Sequence, residues 1–152
     1  MIVEAPVSSA AKLTALTLLS KAFWGYRKEE LASWQDELYI SSEMVAENHT
    51  YLFLINNTIA GFYLLKPPCH ADIELEFLFV HPTFIRQGVG KQLIEHAFHK
   101  AISLGCARML VLADPNAEGF YQQEGFELIE RKESRIFNRF LPWMKKELVL
   151  PK

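Results

Sequence analysis

The spacing of apolar and polar positions changes along the chain from a helical period to an extended one. Leucines recur at helical spacing behind Ser8 and Ser9, which predicts a helix capped by one of these serines and ending near Phe23. A second helix is predicted over residues 27–40, and a short third helix begins at Ser41.

From residue 50 onward the pattern predicts strands. Residues 51–56 and 59–66 read as two strands joined by an Asn-Asn-Thr hairpin turn, and a long strand follows at Asp72–Val80. Strict alternation in that strand places four residues on one face, namely Glu74, Glu76, Leu78 and Val80. The rest of the pattern predicts a helix over 88–104, a buried strand over 108–112, a helix from the Asp114 cap to Gly125, and strands over 126–131 and about 144–150. This layout is a single α/β (α+β) domain spanning residues 1–152, with a mixed sheet.

Composition and charge argue against several classes of partner. The chain has 152 residues, is 50% hydrophobic and carries a net charge of −2, so no nucleic-acid partner is expected. No segment approaches the roughly 20 apolar residues that span a bilayer, so no membrane contact and a cytoplasmic location are expected. Cys69 and Cys106 lack metal-ligand spacing, and His96 and His99 have no further ligand candidates nearby, so no metal is expected.

A glycine pair opens the helix that follows the long strand. Gly88 and Gly90 form a G-x-G turn, but Leu93 replaces the third glycine of a dinucleotide fingerprint. A P-loop would need glycine in place of Ile85 and a hydroxyl residue in place of Gln92. The remaining interpretation is a set of backbone amides at a helix N-terminus. Such a set favours the binding of a phosphate or pyrophosphate group. A purely structural loop is the competing interpretation.

A second motif lies downstream of the G-x-G helix. It reads Asp114-Pro115-Asn116-Ala117-Glu118-Gly119-Phe120-Tyr121, followed after three residues by Gly125-Phe126. Together the two motifs resemble the GNAT superfamily of acetyl-CoA-dependent N-acetyltransferases, over essentially the whole chain from Pro6 to Leu150. The resemblance implies a mixed, mostly antiparallel sheet of about six to seven strands flanked by about four to five helices.

Three further sequence segments resemble those of a bacterial branch of that superfamily. They are Ala22-Phe23-Trp24-Gly25-Tyr26, Asp114-Pro115-Asn116-Ala117, and Ser134 ahead of Arg139-Phe140-Leu141-Pro142. One departure concerns the cofactor loop, which in the family usually begins with Gln or Arg where this chain has Ile85. Arg86 is expected either to replace that side-chain contact to the pyrophosphate or to leave it unmade.

The resemblance implies acetyl-CoA as co-substrate. The pantetheine arm is expected to pair with the backbone of Leu78, Phe79 and Val80, and Asn116 to contact the same arm. The pyrophosphate is expected at the loop residues Arg86, Gln87, Gly88, Val89, Gly90 and Lys91.

Acetyl transfer needs an oxyanion donor, a proton for the departing thiolate and a neutral amine. By resemblance, Tyr121 is expected to protonate the sulfur, with packing against the cofactor as the competing role. The amide of Val80 is expected to polarise the thioester carbonyl. Glu76 is the candidate base. The competing interpretations are that Glu76 only pairs with the acceptor's positive charge, or that there is no dedicated base.

In the superfamily the first two helices and their connecting loop form much of the acceptor site. Trp24, Tyr26, Glu74 and Ser134 are therefore the candidate acceptor-binding residues, while Trp34 is expected in the core. The expected partner is a primary amine of a small molecule or peptide that attacks acetyl-CoA directly in a ternary complex, and a homodimer is left open. The alternative function is a catalytically silent CoA-binding or acyl-CoA-binding sensor module.

Overall fold

The computed structural model describes residues 1–134 and 139–148 of the chain. The chain divides into two compact units, one formed by residues 1–65 and 77–94 and the other by residues 66–76 and 95–152. The organisation of residues 1–152 as a single domain stays a prediction. In the described residues no helix is both long and apolar enough to cross a membrane.

The described residues contain six α-helices. They are α1 (Ala10–Phe23), α2 (Lys28–Ser33), α3 (Gln35–Leu38), α4 (Ser42–Glu47), α5 (Val89–Ser103) and α6 (Glu118–Gln123). The single helix predicted over residues 27–40 was wrong, because the chain turns at Trp34 (φ −100°, ψ 2°). The Trp34 amide closes α2 by donating to the Leu31 carbonyl (3.2 Å), and the Trp34 carbonyl accepts from the Leu38 amide (3.0 Å) to begin α3.

The predicted serine cap of α1 was also wrong in its chemistry. Ser9 occupies the N-cap position but makes no capping hydrogen bond with its side chain. Its hydroxyl instead donates to the Pro6 carbonyl at 2.6 Å, which stabilises a short 3-10 turn leading into the helix.

Seven strands complete the secondary structure, namely β1 (Ile2–Glu4), β2 (His49–Ile55), β3 (Thr58–Leu65), β4 (Asp72–Val80), β5 (Arg108–Leu112), β6 (Glu127–Glu133) and β7 (Phe140–Glu147). The hairpin between β2 and β3 is confirmed, since Asn56 and Asn57 both adopt the positive φ that a tight hairpin turn requires. Strand β7 begins before its predicted start near Met144, because Phe140 already pairs with Glu133 of β6. The last residues of that predicted strand, 149–150, lie outside the described residues.

The strands form one sheet in the order β1-β2-β3-β4-β5-β7-β6. Strands β4 and β5 are parallel, whereas β1 with β2, β2 with β3, β5 with β7 and β6 with β7 are antiparallel. The predicted mixed, mostly antiparallel sheet is therefore confirmed. The described residues form six helices where about four to five were expected, because the predicted helix over residues 27–40 is divided into α2 and α3.

In the unit formed by residues 1–65 and 77–94, one glycine controls how closely α5 approaches the sheet. A Cβ at Gly61 of β3 would lie 2.8 Å from the Phe79 carbonyl oxygen and 2.9 Å from Leu93 Cδ1. Because the Phe79 oxygen belongs to the backbone and cannot turn aside as a side chain can, glycine is required at this point of β3. On the other side α1 contributes Leu13 and Leu16 to a buried cluster with Phe79 and its neighbours.

In the second unit, the pairing of β4 with β5 covers only the beginning of β4. The register runs from Asp72 opposite Arg108 to Leu75 opposite Val111, and β4 itself continues to Val80. Strand β5 is buried at alternate residues, and Leu112 is 41% exposed. The predicted buried strand over residues 108–112 is therefore confirmed as a strand but is fully buried only at Met109 and Val111.

Candidate active site

The loop before α5 has an unusual backbone. Arg86 (φ 67°) and Gly88 (φ 79°) both adopt the left-handed conformation, which is uncommon for a non-glycine residue such as Arg86. A Cβ at Gly88 would meet only the Gln92 side-chain nitrogen at 3.9 Å, so glycine is needed there for its φ and not for space. Left-handed residues on either side of Gln87 are the kind of backbone in which successive amide groups can face one anion.

The first turn of α5 continues this loop. The helix begins at Val89, which is buried, and runs for 15 residues. Gly90 is half-buried, whereas the side chains of Gln87 and Lys91 are exposed. The amides at this end have no partners within the helix ladder, and the helix dipole makes the end positive. The loop and the helix start together can therefore hold a negatively charged group.

Strand β4 presents two different faces, as its alternation predicted. Leu75, Phe77 and Phe79 are buried, whereas Leu78 and Val80 are half-buried on the face that also carries the two glutamates. The end of the strand is fixed by the residue after Val80: the His81 amide donates to the Ala60 carbonyl of β3 at 2.8 Å. The backbone of Leu78 to Val80 is thus held in extended form.

A lysine that sequence reasoning missed joins the two glutamates of β4. Lys66 Nζ lies 3.1 Å from Glu76 Oε2 and 3.4 Å from Glu74 Oε2. Burial lowers the pKa of Lys66, but the hydrogen bond and charge of Glu76 and the charge of Glu74 outweigh it, so the net pKa is raised. Lys66 therefore stays positive throughout the neutral range and offsets the repulsion between the carboxylates. The sequence indicates this contact only through the position of Lys66, directly after β3.

Tyr121 lies in α6 and is 5% exposed. Its ring makes edge contacts with Phe120 and Phe126, each with ring centroids 5.2 Å apart. Burial, with a smaller effect from the Asp114 charge, raises the pKa of Tyr121 well above its usual value. The phenol therefore remains protonated at neutral pH, so that its proton is available for donation.

A bidentate ion pair holds α6 against β6. Arg131 Nη1 and Nη2 of β6 each donate at 3.0 Å, to Glu118 Oε1 and Oε2 respectively. This bidentate geometry is the strong form of the arginine–carboxylate contact, although the Arg131 side chain is 51% exposed and the pair is partly screened. The helix that carries Tyr121 is thereby fixed to β6.

Asp114 organises the turn that precedes α6. Its Oδ1 accepts from the Asn116 amide (2.8 Å) and from Asn116 Nδ2 (3.0 Å), which confirms the predicted cap. Its Oδ2 accepts from Arg139 Nη2 at 3.1 Å, and the Asp114 side chain is only 5% exposed. The carboxylate therefore fixes the orientation of the exposed Asn116 carboxamide. Sequence reasoning found the cap but missed the contact from Arg139, because an interaction across 25 residues leaves no local pattern.

The loop after α1 forms an aromatic cluster around a lysine. Lys21 Nζ lies 5.5 Å from the ring centroid of Trp24, 5.7 Å from Tyr26, 5.9 Å from Trp34 and 5.7 Å from Phe79. Trp24 and Tyr26 are half-buried, and Trp34 is 7% exposed, which confirms its predicted place in the core. In the sequence, this cluster was indicated only by a lysine that precedes a short segment rich in aromatic residues.

The remaining candidate, Ser134, is half-buried, and its amide donates to the Arg139 carbonyl at 2.8 Å. It therefore lies beside the arginine that holds Asp114. Within residues 1–134 and 139–148 there is no group of three or more His, Cys, Asp or Glu side chains placed to hold a metal ion.

The structure thus groups the candidates within each unit. The unit of residues 1–65 and 77–94 contains the amide loop, the end of β4 and the aromatic cluster. The unit of residues 66–76 and 95–152 contains the two glutamates with Lys66, and the Asn116, Tyr121 and Ser134 group.

Comparisons with known proteins agree with this architecture. The acetyltransferase (GNAT) family matches residues 16–126 of the chain. No curated protein sequence shows a significant match. Among solved structures, a GCN5-related N-acetyltransferase from Rhodopseudomonas palustris superposes with a TM-score of 0.82 at 23% identity, covering 97% of this chain and 95% of its own.

Two further structures share the fold. PaiA N-acetyltransferase from Thermoplasma acidophilum, solved in complex with coenzyme A, has a TM-score of 0.81 at 20% identity and covers 97% of this chain and 98% of its own. The ribosomal-protein-S18-alanine N-acetyltransferase of Escherichia coli has a TM-score of 0.72 at 17% identity, covering 100% and 96%. The chain belongs to the acetyltransferase (GNAT) family. It is an acyltransferase.

Proposed function

We propose that this protein transfers the acetyl group of acetyl-CoA to a primary amine of a small molecule or peptide, with both substrates bound at once. The observation that carries the proposal is the backbone of the amide loop, residues 86–91. Two left-handed residues, Arg86 and Gly88, stand directly before the first turn of a 15-residue helix. Such a loop offers several amide donors to one pyrophosphate group. The relative from T. acidophilum, which shares the fold, was solved with coenzyme A.

The side chains around this loop fit the same group. Ile85 offers no polar contact, but the exposed Arg86 and Lys91 add positive charge next to the amides. In our proposal Arg86 supplies the contact that the family usually obtains from the position of Ile85. Its strained backbone is consistent with a functional constraint on this loop.

The end of β4 is the proposed binding edge for the pantetheine arm. The pairing register with β5 ends at Leu75, and β4 continues in extended form to Val80. Amide groups of a ligand can pair with the backbone of Leu78 to Val80 as an added strand does. Asn116 is the proposed side-chain contact to the same arm, since Asp114 fixes its carboxamide by accepting from Nδ2.

The proposed chemistry assigns one step to each of three groups. Bound acetyl-CoA supplies an activated thioester carbonyl. The Val80 amide donates to the carbonyl oxygen as the amine nitrogen bonds to the carbonyl carbon. Glu76 accepts one proton of the ammonium before the attack, directly or through water. Tyr121 gives its phenolic proton to the sulfur as the carbon–sulfur bond breaks, and the tyrosinate regains a proton from the acylated nitrogen, which leaves the neutral amide and the free thiol.

Glu74 and Glu76 have different roles in this proposal. Glu76 makes the shorter contact to Lys66, 3.1 Å against 3.4 Å, and lies closer along β4 to Val80. We assign proton transfer to Glu76 and charge recognition of the acceptor to Glu74, together with Trp24, Tyr26 and Ser134. Lys66 keeps both carboxylates in place until the acceptor's positive charge arrives.

Calorimetry with coenzyme A, followed by a thiol-release assay with acetyl-CoA and a panel of primary amines, tests the proposal. We expect binding and amine-dependent release of free thiol. Binding of coenzyme A with no thiol release by any amine would instead identify a sensor module of the same fold. If coenzyme A does not bind at all, the assignment of acetyl-CoA as co-substrate is wrong.

A further inference from the structure

A groove between α1, the β2–β3 hairpin and the end of β4 has no role in the proposed transfer. Its volume is about 370 Å³, which lies in the range of small-molecule sites. All of its lining residues belong to the unit of residues 1–65 and 77–94. The groove is therefore formed entirely within one compact unit.

One side of the groove is apolar. Helix α1 supplies Ala15, Leu16 and Leu19, and β3 adds Ile59. Leu16 is buried and belongs to the apolar cluster of this unit, whereas Leu19 is 50% exposed. An exposed leucine beside other apolar groups leaves a surface that the hydrocarbon part of a ligand can cover.

The other side of the groove contains hydrogen-bond donors and a positive charge. It is lined by Lys12, Asn57, Thr58 and His81, and no Asp or Glu of the described residues lines the groove. The side chains of Lys12, Asn57 and Thr58 make no hydrogen bond or ion pair with any described residue. The polar side therefore favours an anion over a cation.

His81 offers a donor because its other ring nitrogen is already engaged. Its Nδ1 accepts from the Thr83 amide at 3.1 Å, so the proton of the neutral ring lies on Nε2. An edge contact with Phe84 (ring centroids 6.1 Å apart) and the bond from the His81 amide to the Ala60 carbonyl (2.8 Å) hold the residue in place. Nε2 has no partner among the described residues, so it can donate to a bound anion whether the ring is neutral or charged.

Lys12 occupies a position in α1 where a cation is disfavoured. It lies in the first turn of the helix, and that turn contains no acidic residue. The helix dipole makes this end positive, so the Lys12 ammonium is repelled there without a nearby carboxylate in the helix to offset the repulsion. A bound anion relieves it. Lys12 and Leu19 are seven residues apart on α1, or about 10 Å along the helix axis, which is the span of a small amphiphilic molecule.

We propose that this groove is a second ligand site, which binds a small carboxylate that carries a short apolar chain. The carboxylate accepts from the donors of the polar side, and the chain covers Leu16 and Leu19. Lys12 supplies the one permanent positive charge of the groove, which matches a singly charged carboxylate. The site goes beyond the proposed acetyl transfer and does not depend on it.

Amide NMR spectra of isotope-labelled protein test the site directly, with hexanoate as the probe. Three controls each change one property: hexanamide lacks the charge, acetate lacks the chain, and hexylammonium reverses the charge. We expect hexanoate to shift the signals of Ala15, Leu19, Ile59 and His81 saturably, with a Kd of about 1 mM or lower. Each control should bind there at least about 5-fold more weakly. Hexanoate shifts confined to other parts of the chain, or equal affinity for hexylammonium, would overturn the proposal.

Variants separate the two halves of the ligand. Lys12→Met keeps the side-chain length and removes the charge, so it should weaken hexanoate binding at least about 5-fold and leave hexanamide unaffected. Lys28→Met is the matched control, because Lys28 is also exposed in the first turn of a helix, α2, but lies outside the groove. Leu19→Gln should weaken hexanoate and leave acetate unaffected. Unchanged affinity in Lys12→Met, or equal losses in Lys12→Met and Lys28→Met, would contradict the proposal.

Coenzyme A shows whether the groove is separate from the cofactor site. The hexanoate titration is repeated with coenzyme A at saturation, and we expect hexanoate still to bind, because none of residues 86–91 lines the groove. Displacement of hexanoate by coenzyme A would assign the groove to the cofactor and overturn a second site. Because hexanoate binding is measured without acetyl-CoA or an amine, this proposal can fail while the proposed function stands.

Discussion

The amide loop and the segment from Asp114 to Tyr121 carry their proposed roles by different physical means. In our proposal the loop acts mainly through its backbone, in which Arg86 and Gly88 are left-handed. The second segment acts through side chains, whose orientation depends on a nearly buried carboxylate with partners at 2.8–3.1 Å. Substitutions in the loop should therefore change cofactor affinity. Substitutions in the second segment should change turnover at Tyr121 and the use of acetyl-CoA at Asn116.

Gly88→Val should weaken coenzyme A binding by at least about 100-fold, because several charge-assisted amide contacts depend on the positive φ of this residue. Calorimetry on the folded variant measures the effect. Gly105→Val is a matched control, since Gly105 also has a positive φ (84°) and a Cβ added there would have no neighbouring atom within 4 Å. Similar losses of affinity in both variants would show a general folding defect and not a loop effect.

Tyr121→Phe should lower kcat by about 100-fold with little change in cofactor affinity, because the ring contacts remain and only the proton donor is lost. The same substitution at Tyr63, which is fully buried in β3, provides the control and should leave kcat unchanged. Turnover within about twofold of wild type in the Tyr121 variant would place the proton source elsewhere, for example in water.

Glu76→Gln extends the comparison to a side chain outside both regions. It should reduce turnover about 100-fold at neutral pH, with partial recovery as pH rises and more amine is already neutral. The raised pKa of Lys66 and that of Tyr121 keep both groups protonated over this interval, so neither titration produces the recovery.

Glu74→Gln is the matched variant for this position and should mainly raise the acceptor KM. A pH–rate profile of Glu76→Gln that parallels that of wild type would refute the base assignment. A raised KM with intact kcat in that variant would show Glu76 to be an electrostatic partner of the acceptor.

Asp114→Asn should have the smallest effect, lowering kcat/KM for acetyl-CoA about 10-fold through a misoriented Asn116. It should also lower the free energy of unfolding by roughly 1–3 kcal/mol, since Arg139 loses its charged partner. Urea denaturation measures the second quantity. Arg139→Met should share both effects, and a double variant whose losses simply add would show that the two residues do not act through one contact.

The same contrast between local and distant interactions determines how far the sequence could predict the molecule. The alternation of β4, the hairpin turn at Asn56 and Asn57 and the Asp114 cap depend on local rules, and all three are found in the structure. The break at Trp34 was missed because two short helices continue one apolar period. A single period cannot show where a chain turns.

Contacts between distant residues account for most of what was missed at the candidate site. Lys66 meets Glu76 because of strand order and register, and Arg139 reaches Asp114 because of how β7 begins. The aromatic cluster around Lys21 requires α1, the turn at Trp34 and β4 to meet at one place. None of these arrangements has a signature in local spacing, so they become visible only when the fold is known.

The most direct test of the proposed function follows the acetyl group itself. Wild-type protein is incubated with acetyl-CoA carrying an isotopically labelled acetyl group and with the amine panel, and both free thiol and products are quantified by mass spectrometry. We predict that a primary amine gains one labelled acetyl group for each thiol released. Thiol release without a labelled amide, or bound coenzyme A with no labelled product from any amine, would contradict the proposed transfer.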